Sequence, residues 1–110
     1  MSNIQIPMDI YESDKELVVL IPLSWVHRQS IDLSIKEYQL HVAGHRVPPP
    51  LKDNLMMVKS DCYRWPFEQT IDLPNGIHYE KIHSKMTLDN VLMIVVPKVI
   101  IPEKIKLDIE

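Results

Sequence analysis

The sequence is poor in glycine, with two residues in 110, and unusually rich in proline, with nine. Proline blocks helix interiors and is tolerated mainly in turns and at strand edges. The nine stand at positions 7, 22, 48, 49, 50, 66, 74, 97 and 102, so little room is left for a long helix. Cysteine is also scarce. Cys62 stands alone, which excludes an internal disulfide and fits a reducing compartment. The start, "MSNIQIPMDIYESD", lacks the basic-then-apolar layout of a secretory signal, so a cytoplasmic protein is expected. No apolar run approaches the roughly 20 residues that a spanning helix needs. The prominent one, Val91 to Val96, is six residues long, and a membrane partner is not expected. A net charge of -3 gives no electrostatic reason to expect nucleic acid.

Catalytic signatures are missing too. There is no phosphate-cradling glycine loop and no G-x-S-x-G elbow, so neither an enzyme nor a cofactor is expected. Zinc needs three or four converging ligands. His41 and His45 share one strand face, and His78 and His83 flank a turn, but no spacing brings carboxylates or Cys62 to them. They are expected to face solvent and hold no metal. Cys62 has Asp61 beside it and Lys59 and Arg64 nearby, a setting that does not mark it as reactive.

What the chain does have is a succession of short apolar-alternating runs. "ELVVLI" (Glu16 to Ile21) is β-branched and stops at Pro22. In "SIDLSIK", Ile31, Leu33 and Ile35 face one side, and after a polar turn at Glu37, "YQLHVAGH" points Leu40 and Val42 one way and His41, Ala43 and His45 the other. "RVPPPLKDN" reads as an extended loop that cannot feed a sheet ladder. "LMMV" (Leu55 to Val58) reads as a short isolated strand. "YRWPFEQTIDL" (Tyr63 to Leu73) reads as a strand interrupted at Pro66, and "PNG" (Pro74 to Gly76) as a turn. "IHYEKIHSKM" can hold one helical turn before a strand through Ser84 and Met86.

About eight short strands in a single domain predict an all-β fold, a sandwich of two antiparallel sheets. The run Val91 to Val96 is apolar on both faces, so it asks for the opposite sheet on one side and a further cover on the other. The tail "VIIPEKIKLDIE" alternates at Ile105, Leu107 and Ile109 and has no hairpin partner in its own sequence. Such a strand either docks on its own sheet or adds to another chain's edge.

Four motifs in order give the chain a resemblance. "IPMDIYESDKELVVLIPL" looks like a family opening P-x-x-D-I-Y-E. "YQLHVAGHR", with Leu40, Val42, Gly44 and Arg46, looks like L-x-I-x-G-x-R. Phe67, Ile71, Leu73 and Pro74 look like F-x-x-x-F-x-L-P, and Ser84 through "DNVLMIVVPK" looks like the closing A-x-x-x-N-G-V-L-x-I-x-x-P-K. Together they resemble the α-crystallin domain of the small heat-shock proteins, which has an immunoglobulin-like β-sandwich. The resemblance divides the chain into a short N-terminal segment, 1–7, an α-crystallin-like domain, 8–98, and a C-terminal extension, 99–110. Three departures stand out. "PLSWV" replaces the family's P-G-V/F, Gln69 replaces an arginine that joins charge pairs at a dimer interface, and Asn90 takes the place of the hairpin glycine in a turn one residue longer.

The resemblance implies an ATP-independent chaperone that binds partly unfolded client proteins and limits their aggregation. It implies a homodimer formed by exchange of a short strand on the long loop, for which Leu55, Met56, Met57 and Val58 are the candidates, although a pair of methionines also suits a surface accepting varied partners. It implies a larger oligomer held by a C-terminal I-x-I/V motif docked between two strands of a neighbour. Ile105 and Leu107 fit that motif, and Leu107 and Ile109 are an overlapping alternative. Leu40, Val42 and Met86 are the candidates for the apolar groove that tail and client would share. With about seven residues before the domain, the family's N-terminal arm is expected to be almost absent, and client binding and assembly size to be reduced with it. The alternative is an adaptor for a larger chaperone, like the related CS-domain co-chaperones.

Overall fold

The described residues form seven strands in the computed structural model of the protein, with period-two burial clearest in the second, fourth and seventh: β1 (Asp9–Glu12), β2 (Glu16–Pro22), β3 (Asp32–Lys36), β4 (Gln39–Gly44), β5 (Phe67–Asp72), β6 (His83–Met86) and β7 (Val91–Pro97). The structure describes residues 6–62, 66–99 and 106–110. Two single 3-10 turns, Arg28–Ser30 and Tyr79–Lys81, precede β3 and β6. One sheet has the order β1-β2-β7-β6 and the other β3-β4-β5, and every pairing is antiparallel. The two sheets face each other as a β-sandwich, with almost no helix among the described residues.

The core lies between the inner faces. Leu17, Val19 and Ile21 of β2 and Leu92, Ile94 and Val96 of β7 point toward Leu40 and Val42 of β4 and Phe67 and Ile71 of β5. Each such side chain contributes about 1.5–3 kcal/mol on burial, so the β2–β7 ladder and its opposite sheet dominate stability. The apolar run of β7 is sealed on one face only. Val91, Met93 and Val95 are half-buried on the outer face, beside Val18 and Leu20 of β2. The tail residues Lys106 to Glu110 are exposed and do not supply the expected cover.

The G-x-R motif acquires a packing reason. A Cβ on Gly44 would lie 2.8 Å from Cζ of Phe67, whose side chain is wholly buried. Arg46 then caps the same ring, its guanidinium 6.0 Å from the ring centroid, and donates from Nη1 to the carbonyl of Ser24. Phe67 opens β5 directly after Pro66, because a proline has no N–H to give to the ladder.

Scarcity of glycine is met by strained turns. Glu37 and Tyr38 both take positive φ, 54° and 64°, in the two-residue β3–β4 turn, a geometry that glycine and asparagine favour. Asn90, at φ 62°, ends the three-residue loop Leu88–Asn90, which is longer than a two-residue turn as expected. The loop is closed by the Val91 amide donating to Oγ1 of Thr87 at 3.1 Å. Trp25, in the Leu23-Ser24-Trp25 stretch that sits where the resemblance expects a glycine, adopts φ 67°. Left-handed backbone costs a residue with a Cβ about 1–2 kcal/mol, and here it directs the Trp25 carbonyl to the Val47 amide at 2.7 Å.

The expected strand at Leu55–Val58 does not pair within its own chain. Every residue from Val47 to Cys62 is exposed. Tyr63, Arg64, Trp65 and Ile105 lie outside the described residues. The contact at Gly44 generates a test: Gly44→Ala should lower stability by about 1–3 kcal/mol, the cost of overpacking, read from the midpoint of urea unfolding. An unchanged midpoint would show that the Phe67 ring can move aside.

Candidate functional site: an open lateral groove

A two-sheet sandwich has two lateral openings, one on each side where edge strands face each other. Here the two are treated differently. On the β1/β5 side the segment before β1 closes the gap. Ile6 is buried in the core cluster, and its backbone amide donates to Oε1 of Gln69 at 3.2 Å. Gln69 pairs with Val42 across the ladder and so belongs to the inward-facing row. The position that departs from the family's arginine thus acts within its own chain, as the acceptor that fixes Ile6.

On the opposite side the gap between β3 and β6 stays open as a groove. One lobe, about 370 Å³, is lined by Arg28, Ile31, Leu33, Lys85, Met86 and Leu92. The next, about 300 Å³, is lined by Leu33, Ile35, Leu40, Tyr79, Ile82 and Ile94 among others. Leu33 and Ser84 line both, so the two are continuous. The alternation of β3 makes this groove. Ile31, Leu33 and Ile35 point inward, but β3 is an edge strand, so their side chains are half-buried or exposed. His83 also borders the groove, with Nδ1 3.0 Å from the carbonyl of Lys81, to which it donates in the Nδ1–H tautomer. At one end Tyr38, from the β3–β4 turn, and Tyr79, from the 3-10 turn before β6, bring their rings to 6.2 Å between centroids.

Of the groove residues expected from the sequence, Leu40 lies at the floor and Met86 on a wall. Val42 is a correction. Its exposure is 0%, and it supports the groove from within the core without lining it. Leu33, Ile35, Ile82 and the tyrosine pair went unrecognised as groove residues. The alternation of β3 signalled which side faced inward, and only the topology reveals which strands are edges. The other candidates are spread apart. Leu55, Met56, Met57 and Val58 sit exposed on the long loop, and Leu107 and Ile109 stand in the tail at 80% and 99% exposure. Strand β1 is an edge whose four residues are all exposed.

The motif lysine at the end of β7 has a local partner set. Lys98 Nζ pairs with the carboxylate of Glu12 and donates to the carbonyl of Ser13 at 2.9 Å. That ties the departure of the tail to the β1–β2 turn. Among the described residues no three His, Cys, Asp or Glu side chains gather as a metal site would require. No helix among them is long and apolar enough to cross a membrane.

The β1-β2-β7-β6 over β3-β4-β5 sandwich is a fold shared with solved proteins. The model of the Hsp20/alpha crystallin family matches residues 9–110. Heat shock protein 16.0 from Schizosaccharomyces pombe shares the fold at a TM-score of 0.80, with 18% identity over 98% of this chain and 100% of that one. A small heat-shock protein from Xylella fastidiosa does so at 0.82, with 16% identity over 99% of each chain. HSP18.5 from E. histolytica gives 0.75, with 13% identity over 94% of this chain and 97% of its own. No curated protein sequence matches the chain. The chain belongs to the Hsp20/alpha crystallin family, a family of chaperones that are generally not enzymes.

The closed side of the sandwich generates a prediction. Gln69→Ala removes the acceptor of a part-buried amide, a loss of about 1–3 kcal/mol. Hydrogen exchange should find the Ile6 amide slow in the parent protein and fast in the variant. Equally fast exchange in both would mean that Ile6 is not held there.

Proposed function

We propose that the protein is an ATP-independent holdase of the cytoplasm, which binds partly unfolded proteins through the β3–β6 groove and limits their aggregation. The observation that carries this reading is the open groove itself: Leu33, Ile35 and Ile82 left accessible between two edge strands, over a floor of buried Leu40 and Ile94. Both strands have unpaired backbone edges, so an extended segment can add main-chain hydrogen bonds there as well as apolar contacts. Family membership supports the same reading.

The C-terminal tail competes for the groove. Of its aliphatic residues, Leu107 and Ile109 stand exposed in the single chain and need a surface. Burying three of them is worth roughly 5–9 kcal/mol gross, at about 1.5–3 each. Association costs an estimated ~4–15 kcal/mol, so one tail holds weakly. Several linked dockings hold well through effective concentration. That balance suits a cover that a client can replace. Dimerisation uses the long loop: Leu55–Val58 of one subunit adds to the free edge of β1 in the other. The length of exposed chain from Val47 to Cys62 and the open β1 edge support this pairing.

Two outcomes follow. Light scattering of a heated test protein should show aggregation suppressed at stoichiometric amounts of chaperone without nucleotide. Absence of protection across several unrelated clients would refute the holdase reading. Ile105→Ala combined with Leu107→Ala should lower the mass of the assembly in solution scattering, and an unchanged mass would count against tail docking.

A further inference from the structure

The groove does not end where two aliphatic residues would fill it. Past the second lobe lies a third, open and about 480 Å³, lined by Ile35, Glu37, Tyr38 and Tyr79. Ile35 and Tyr79 line the second and third lobes alike, so the three form one trough along β3. Successive lobes follow alternate residues of a strand, which recur about every 6.5 Å. An extended segment presents alternate side chains at the same spacing. The tail carries three alternate aliphatic residues, Ile105, Leu107 and Ile109.

We propose that the trough takes all three at once from a second copy of the chain, in a single direction, with Tyr38 and Tyr79 as a third docking point. Ile105 sits against the tyrosine pair, Leu107 in the middle lobe, and Ile109 in the lobe beside Met86. Charge sets the direction. The first lobe is bordered by Arg28 and Lys85 with Asp32, the third by Glu37. In the tail, Lys106 follows Ile105, while Asp108 and Glu110 flank Ile109. The proposed direction brings Asp108 and Glu110 to Arg28 and Lys85, and Lys106 toward Glu37. The reverse places like charges together at both ends. The segment then runs antiparallel to β3. The occupant is a second copy because Leu107 and Ile109 of the same chain stand exposed at 80% and 99%. The two overlapping motifs, Ile105 with Leu107 and Leu107 with Ile109, become parts of one three-point register. This inference rests on tail docking in the groove and adds its register, its direction and the aromatic third lobe.

Cysteine trapping in the full chain tests it, with Cys62→Ser as background. A disulfide requires Cβ atoms about 3.5–4.5 Å apart, so it distinguishes neighbouring lobes. The matched pairs are Ile105→Cys with Tyr38→Cys and Ile109→Cys with Met86→Cys. The exposed Arg28→Cys serves the first lobe if Met86→Cys unsettles the fold. On mild oxidation both matched pairs should give covalent dimers and larger species well above the single-cysteine controls, and the swapped pairs none. Trapping of the swapped pairs would overturn the direction. Trapping of Leu107→Cys with Met86→Cys while Ile105→Cys never reaches Tyr38→Cys would overturn the three-point register and leave tail docking standing. Disulfides formed without a gain in mass would overturn the second copy as donor. No trapping by any pair would overturn tail docking itself.

Discussion

Everything in this molecule depends on the face-to-face packing of two small sheets. Leu17, Val19 and Ile21 with Leu92, Ile94 and Val96 supply one apolar face, and Leu40, Val42, Phe67 and Ile71 the other. A sandwich so small cannot close its own sides, because each side is bounded by edge strands with no further strand to pair. One side is closed locally by Ile6, which Gln69 holds by its backbone amide. The other remains open between β3 and β6. The groove is therefore the unsealed margin of the core, and its walls are core residues.

That origin explains its chemistry. The middle lobe is mainly apolar and indifferent to which aliphatic side chain enters, which suits capture of extended apolar segments, while Arg28, Asp32 and Lys85 stand at one end and Glu37 at the other. The same indifference would leave the groove prone to non-specific association, and the tail answers that need. In the proposed function its alternating aliphatic residues occupy that groove, while a single tail gains too little to hold irreversibly. Function in this account comes from a near balance of burial against the entropy of association.

Much of the fold was legible in the sequence, for specific reasons. The alternation in Ile31 to Ile35, the β-branched run ending at Pro22, and the unbroken run before Pro97 each mark a strand by side-chain period. Gly44 and Arg46 were legible as a family motif, but not that they pack against and cap Phe67. Asn90 marks a hairpin that no glycine closes. Edges were not legible. Nothing local to β3 or β6 says that they border an opening, so Leu33 and Ile35 read only as one face of a strand and Ile82 was given no role, while Val42 read as groove although it is wholly enclosed. The role of Gln69 was hidden for a similar reason: its partner, Ile6, is 63 residues away in sequence. Trp25 shows the opposite case. A missing glycine was visible, and the structure reveals the cost, a tryptophan held at positive φ.

The central claim is that an apolar margin left open by the fold is covered by another copy and released on demand. The native mass of the full chain, measured by light scattering across a rising temperature series, tests it most directly. The account predicts assemblies well above the 12.9 kDa chain at low temperature, which lose mass as weakly held tails leave the groove on warming. A strict monomer at every temperature would contradict it.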